Sequence, residues 1–177
     1  MEKQLSSKIA FECTIFKVEE DLVEVEDGSK AKRWYVVEDP SLSVICVRNG
    51  KVILLKEYLS ASKKMAWKLP SGRAHKGEDV KAAAIRESKE EVGLDPLDIK
   101  LFRRIVQPSP WLKIERNFFI ATKFKQNQED SGEYIDKHHD VHDLTFSEVE
   151  KLIDNYELEA DTALVLRELI AKNKKEI

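Results

Sequence analysis

An α/β fold, with a mixed β-sheet flanked by helices and a small antiparallel sheet ahead of it, is predicted by three observations. From Ile9 to about Asp39, apolar and polar residues alternate in AFECTIFKV, DLVEVE and KRWYVVE, the period of half-buried strands. Two apolar runs, Leu42 to Val47 and Val52 to Leu55, then flank Asn49-Gly50, a pair suited to the positive φ angles of a two-residue hairpin. Helical periodicity follows in Asp79 to Val92 and in two segments nearer the C-terminal end. Strands interleaved with helices in this order pack as layers around one core.

The elements follow in turn. Asp27-Gly28 marks the turn of the first sheet, which forms a subdomain over residues 1–40, and the main domain occupies 41–177. The Asn49-Gly50 hairpin begins the main sheet. Ile99 to Val106 and Asn117 to Phe124 supply two more strands, joined by a loop carrying Pro108 and Pro110. Lys125 to Glu133 is polar throughout and reads as an exposed loop. Thr145-Phe146-Ser147-Glu148 has the form of a capping box, and Phe146, Val149, Leu152 and Ile153 make the apolar stripe of the helix behind it. The last helix follows Asp161, with Ala163, Leu166, Leu169 and Ile170 at helical spacing. Lys172, Lys174 and Lys175 suit its C-terminal dipole. There are no repeats or low-complexity tracts.

Composition narrows the class of partner. At 177 residues and 20.4 kDa, the chain is of a size to bury one core. A net charge of −3 and a pI near 5.9 leave no basic surplus, so nucleic acid is disfavoured as a partner and a nucleotide-sized molecule is favoured. Cys13 and Cys46 lie in apolar strand-like runs without metal-ligand spacing, as buried thiols of a reducing compartment do. MEKQLSSKIAFEC contains no apolar leader core, and no run approaches the roughly 20 apolar residues of a membrane span. A cytoplasmic protein without a membrane partner is expected. His138, His139 and His142 have no cysteine beside them and read as solvated.

The chemistry concentrates in GRAHKGEDVKAAAIRESKEEVGL, Gly72 to Leu94. On a helix, Glu87, Glu90 and Glu91 fall at i, i+3 and i+4 and bring their carboxylates to one side. Each close pair would repel by about 4 kcal/mol at 4 Å and an effective dielectric near 20. Such a cluster recruits a hard divalent cation, and magnesium takes oxygen ligands that include substrate phosphates. Gly72 and Gly77 give the preceding loop backbone freedom, and a helix N-terminus offers amides to phosphate. Glutamates at this spacing are ordinarily a solvated face. The glycines, Arg86 and the full spacing outweigh that reading here.

Gly72, Glu78, Arg86, Glu87, Glu90, Glu91 and Gly93 together resemble the Nudix box, G-x5-E-x7-R-E-U-x-E-E-x-G-U with U bulky and apolar. Ser88 stands at one apolar position, within the stripe Ala84, Ile85, Ser88, Val92, and reads as a packing adjustment. Most of the chain, from about Ile9 to the last helix, further resembles the ADP-ribose pyrophosphatase branch of the Nudix hydrolases, which cleaves nucleoside diphosphate sugars. VILLKEYLSASKKMAWKLPSG is similar to that branch's approach to W-E-L-P-A-G, and SPWLKIER to its S-P-G segment followed by Glu-Arg. Pro110 is then the branch's distinguishing position and Glu115 the acid of the substrate pocket. Three departures touch specificity: Leu59 replaces an arginine that contacts diphosphate, Trp111 a glycine, and Lys68 a glutamate.

The resemblance implies an α/β/α sandwich and a homodimer in which the N-terminal sheet roofs the partner's pocket. It makes Arg33, Trp34, Pro110, Trp111 and Glu115 substrate contacts, with an indole stacking on adenine, while Lys56, Arg73 or Arg104 would supply the charge missing at Leu59. It implies two or three magnesium ions, with manganese as a substitute, on Ser71 (through its carbonyl), Glu87, Glu90 and Glu91. Arg86 would orient a neighbouring carboxylate, and Glu78 would be structural. The catalytic base comes from Glu133, then Glu129, or from Glu91 itself. ADP-ribose would yield AMP and ribose 5-phosphate. The competing readings are a Nudix hydrolase of dinucleoside polyphosphates, NADH or capped RNA ends, and a non-catalytic nucleotide-binding module.

Overall fold

Residues 1–125 and 140–173 are described by the computed structural model of the chain. Its first strands are β1 (Lys3–Glu12), β2 (Lys17–Glu24), β3 (Lys30–Val37), β4 (Ser41–Arg48), β5 (Lys51–Leu59), β6 (Lys64–Lys68) and β7 (Ser71–Arg73). Helix α1 (Val80–Val92) follows, then β8 (Lys100–Val106), β9 (Leu112–Lys113), β10 (Glu115–Ala121), β11 (Asp140–Thr145), α2 (Phe146–Asp154) and α3 (Ala160–Asn173). They divide into one unit of Met1–Ser41 with Ile105–Arg116 and another of Leu42–Arg104 with Asn117–Ile177.

In the first unit, β1, β2 and β3 pair antiparallel, and β9 lies parallel to β3 through Val36 opposite Leu112. The β2–β3 turn closes where Gly28, at φ 80°, donates its N–H to the Val25 carbonyl at 2.9 Å. Three expectations are corrected. AFECTIFKV is not one strand, because the Cys13 N–H donates to the Phe16 carbonyl at 3.0 Å and turns the chain between β1 and β2. That turn leaves Cys13 exposed rather than buried. Strand β1 also begins at Lys3, ahead of Ile9, and every residue along it is exposed.

In the second unit a seven-stranded sheet runs β11-β5-β4-β10-β8, with β6 beside β5 and β7 beside β4. The hairpin falls where expected: Val47 faces Val52, Arg48 faces Lys51, and Asn49 and Gly50 take φ 52° and 72°. Alternate side chains of a strand point to opposite faces. On one face Leu42, Val44, Cys46, Ile53 and Leu55 cluster with Ala83, Ala84 and Val92 of α1. The intervening Ile45, Val52 and Leu54 are equally buried, and α2 packs on β5 while Val149, Val165 and Leu166 of α2 and α3 are fully enclosed. Both faces of the sheet are therefore covered, and the fold is α/β with helices on a mixed sheet.

The capping box is present. Thr145 Oγ1 accepts from Glu148 N at 3.3 Å, and Glu148 Oε2 accepts from Thr145 N at 2.8 Å. The short strands β6, β7, β9 and β11 were not expected, and α3 starts at Ala160, just before Asp161. His142, read as solvated, instead sits half-buried in β11 with its ring edge-on to Trp67 at 4.9 Å. Most of the expected 125–133 loop, together with His138, His139, Lys174 and Lys175, lies outside the described residues. Among the described residues no helix is long and apolar enough to cross a membrane.

Candidate active site

The site is built on α1 and the strand that leads to it. Asp79 caps the helix, its Oδ1 accepting from the N–H groups of Lys81 and Ala82, both at 3.0 Å. At the other end Gly93 takes φ 68°, donating to the Lys89 carbonyl at 3.0 Å, while Leu94 donates to Ser88 at 3.1 Å. The inner face is set by small residues. Ser88 is fully buried with Oγ 3.5 Å from Cys46 Sγ. Burial pushes the Cys46 thiol up to about 11. The departure from the box at Ser88 is thus absorbed by a polar contact inside the core.

The outer face is organised by Arg86. Its Nε and Nη2 donate to Glu78 Oε1 and Oε2, both at 3.1 Å, and Nη2 also donates to the Arg73 carbonyl at 3.0 Å. Nη1 donates to Glu87 at 2.7 Å and to Glu90 at 3.0 Å. Glu78 accepts in addition from His75 N at 2.8 Å. These bonds, Arg86 first and His75 second, hold the Glu78 carboxyl down at about 2. The Arg86 guanidinium is pushed up in turn, chiefly by Glu78. Glu78 therefore anchors the arginine, and the arginine orients Glu87 and Glu90.

Glu87 leans over Gly72. A Cβ there would lie 2.0 Å from Glu87 Oε1, so the glycine is needed because it has no side chain. Its expected role as a backbone hinge belongs to Gly77, at φ 84°, since Gly72 lies in β7 without a positive φ. Burial raises the Glu87 carboxyl above the ordinary range despite Arg86, and the charges of Glu91 and Glu90 raise it further. Glu91, 8% exposed, accepts from Ser71 N at 2.7 Å and from Lys68 Nζ at 3.3 Å. Lys68 also meets Glu57 at 2.8 Å. Burial works to lower the Lys68 ammonium, but Glu57 and Glu91 outweigh it and raise it.

Among the described residues no group of three or more His, Cys, Asp or Glu is drawn together as a ready metal cage. Each acidic side chain faces a resident cation instead: Glu87 and Glu90 face Arg86, and Glu91 faces Lys68. The donor chemistry still fits a hard divalent ion. The donors are carboxylate oxygens, the ligands such an ion takes.

The expected residues distribute between the units. Ser71, Arg73, Arg86, Glu87, Glu90 and Glu91 meet in the second, where Lys56 Nζ also lies 5.2 Å over the Trp67 ring. Arg33, Trp34, Pro110, Trp111 and Glu115 belong to the first. There Arg33 pairs with Glu2, and the exposed Trp34 donates from Nε1 to Glu20 at 3.2 Å. Val36 N donates to the Trp111 carbonyl at 2.9 Å, beside β9, so Trp34 and Trp111 are carried on one sheet. Leu59 ends β5 opposite Lys64. Glu129 and Glu133 lie outside the described residues. That Lys68 is a partner of Glu91 was not expected from the sequence, where its signal was a lysine in place of the glutamate of the W-E-L-P-A-G motif that this segment resembles.

This loop and helix, on a sheet covered on both faces, define the Nudix class. The family model of the NUDIX domain matches residues 37–169, most of the chain, and the chain belongs to that family. The chain is 23% identical over 173 residues to an ADP-ribose pyrophosphatase of Bacillus subtilis (strain 168), covering 97% of this chain and 94% of that one. It is 24% identical over 148 residues to a methanol dehydrogenase activator of Bacillus methanolicus, covering 83% and 80%. Among solved structures, an ADP compounds hydrolase superposes with a TM-score of 0.78 at 18% identity, over 97% of this chain and 95% of that one, and shares the fold. Within that family, the chain is similar along nearly its whole length to an ADP-ribose pyrophosphatase.

Proposed function

We propose that the protein hydrolyses a nucleoside diphosphate linked to a second moiety, ADP-ribose or a related nucleoside diphosphate sugar, with magnesium as cofactor and manganese as substitute. The products are a nucleoside monophosphate and a sugar phosphate. The observation that carries this reading is the Arg86 network, which fixes Glu87 and Glu90 beside a strand whose Ser71 amide holds Glu91. Ser71, through its carbonyl, with Glu87, Glu90 and Glu91 would hold the cations. What such cations supply is polarised phosphoryl oxygens and a water of lowered pKa. The residues do the rest: Arg86 fixes the carboxylates, Glu91 accepts a proton, and Glu133 is the loop alternative for that role. Lys56 and Arg73 supply charge to the diphosphate where Leu59 replaces an arginine.

The same reading assigns residues 1–40 to dimerisation within a cytoplasmic homodimer. Arg33, Trp34, Pro110, Trp111 and Glu115 are its substrate contacts, with the indoles stacking on the base. Its test is product release with magnesium across ADP-ribose, GDP-mannose, NADH and diadenosine polyphosphates. AMP and ribose 5-phosphate from ADP-ribose are the expected result. Tight binding of one compound without turnover of any would make the protein a nucleotide-binding module instead.

A further inference from the structure

From strand β6, Lys68 reaches Glu91. Its side chain is only 22% exposed, with Nζ 2.8 Å from Glu57 Oε2 and 3.3 Å from Glu91 Oε1. The strands build this placement. In the β5–β6 ladder Glu57 faces Ala66, so Lys68 is its diagonal neighbour on the same face. The other Glu91 oxygen is taken by the Ser71 amide at 2.7 Å. Glu91 is therefore gripped at both oxygens, once by backbone and once by an ammonium that a second carboxylate holds in place.

We propose that Lys68, tethered by Glu57, is a positioning residue that acts as a built-in cation at Glu91 and weakens the binding of a divalent cation there. A fixed positive charge a few ångströms from a ligand oxygen repels an arriving divalent ion, and half-burial limits how far solvent screens that repulsion. Glu57 keeps the ammonium from swinging away. The inference rests on the reading of Glu91 as a metal-binding carboxylate.

The experiment titrates the full-length protein with Mn2+, followed by the electron paramagnetic resonance signal of free ion, without substrate. Wild type is compared with Lys68→Met, Lys68→Arg and Glu91→Gln, and circular dichroism confirms that each is folded. Lys68→Met should tighten Mn2+ binding on the order of tenfold or more, whereas Lys68→Arg, which keeps the charge, should stay near wild type. Should Lys68→Met fail to fold, Lys68→Gln takes its place with the same expectation. Unchanged or weaker binding in the neutral variant, with binding lost in Glu91→Gln, overturns the proposal and leaves the metal reading standing. Unchanged binding in Glu91→Gln overturns both.

Discussion

At Gly72 one missing methyl decides where a carboxylate rests. The clash that a Cβ would make is with the far end of the Glu87 side chain, which can swing away, so Gly72→Ala should leave the fold intact and misplace the acid. Turnover is expected to fall on the order of a hundredfold, with little change in melting temperature; full activity in steady-state assays would contradict the assigned geometry. Glu78 offers a second test, in acid. Its folded carboxyl titrates at about 2 against an ordinary 4.5, so the folded state binds fewer protons between those values. Its contribution to stability is whole above 4.5 and is lost as pH falls toward 2, and Glu78→Gln should flatten urea-melt stability across that window. The spacing of glutamates, Arg86 and glycines was legible because it recurs on one helix. Which cation Glu91 meets was not, because Lys68 reaches Glu91, and Glu57 reaches Lys68, from strands distant in sequence.

Among the elements, those closed by local chemistry were the readable ones. Asn49-Gly50, the Thr145 capping box and the Asp79 to Gly93 span each carry their own start or stop residue within a few positions. Replacing Asp79 or Thr145 by Ala should each cost about 1 kcal/mol of stability by denaturant titration. The Asp79 change should also blur the start of α1 and lower turnover, because Arg86 and Glu87 ride on that helix; the Thr145 change should spare activity. Strands β7 and β9 escaped notice for a physical reason. They are too short to show a period, and what makes them strands is a partner elsewhere, β4 for one and β3 for the other.

For the whole molecule, the excursion of Ile105–Arg116 into the unit of the N-terminal sheet was hidden from sequence, since nothing local distinguishes it from the strands on either side. That sheet leaves Leu5, Ile9 and Phe11 of β1 exposed, along with Trp34 of β3. Exposed apolar strands of this length are stable when another chain covers them. If residues 1–40 join two copies, the double variant Ile9→Glu, Phe11→Glu should sediment as a monomer where wild type sediments as a dimer. Equal sedimentation of the two would remove the sheet from that role.

The turn that splits β1 from β2 also gives the protein a handle. Of its two cysteines, Cys46 is sealed in the core with its thiol pushed up to about 11, while Cys13 stands in the open. A thiol reagent such as Ellman's should therefore modify one site per native chain and both after denaturation. A spin label or fluorophore can be fixed at Cys13 without engineering the sequence, and distances between two such labels would measure how one N-terminal sheet meets another in solution.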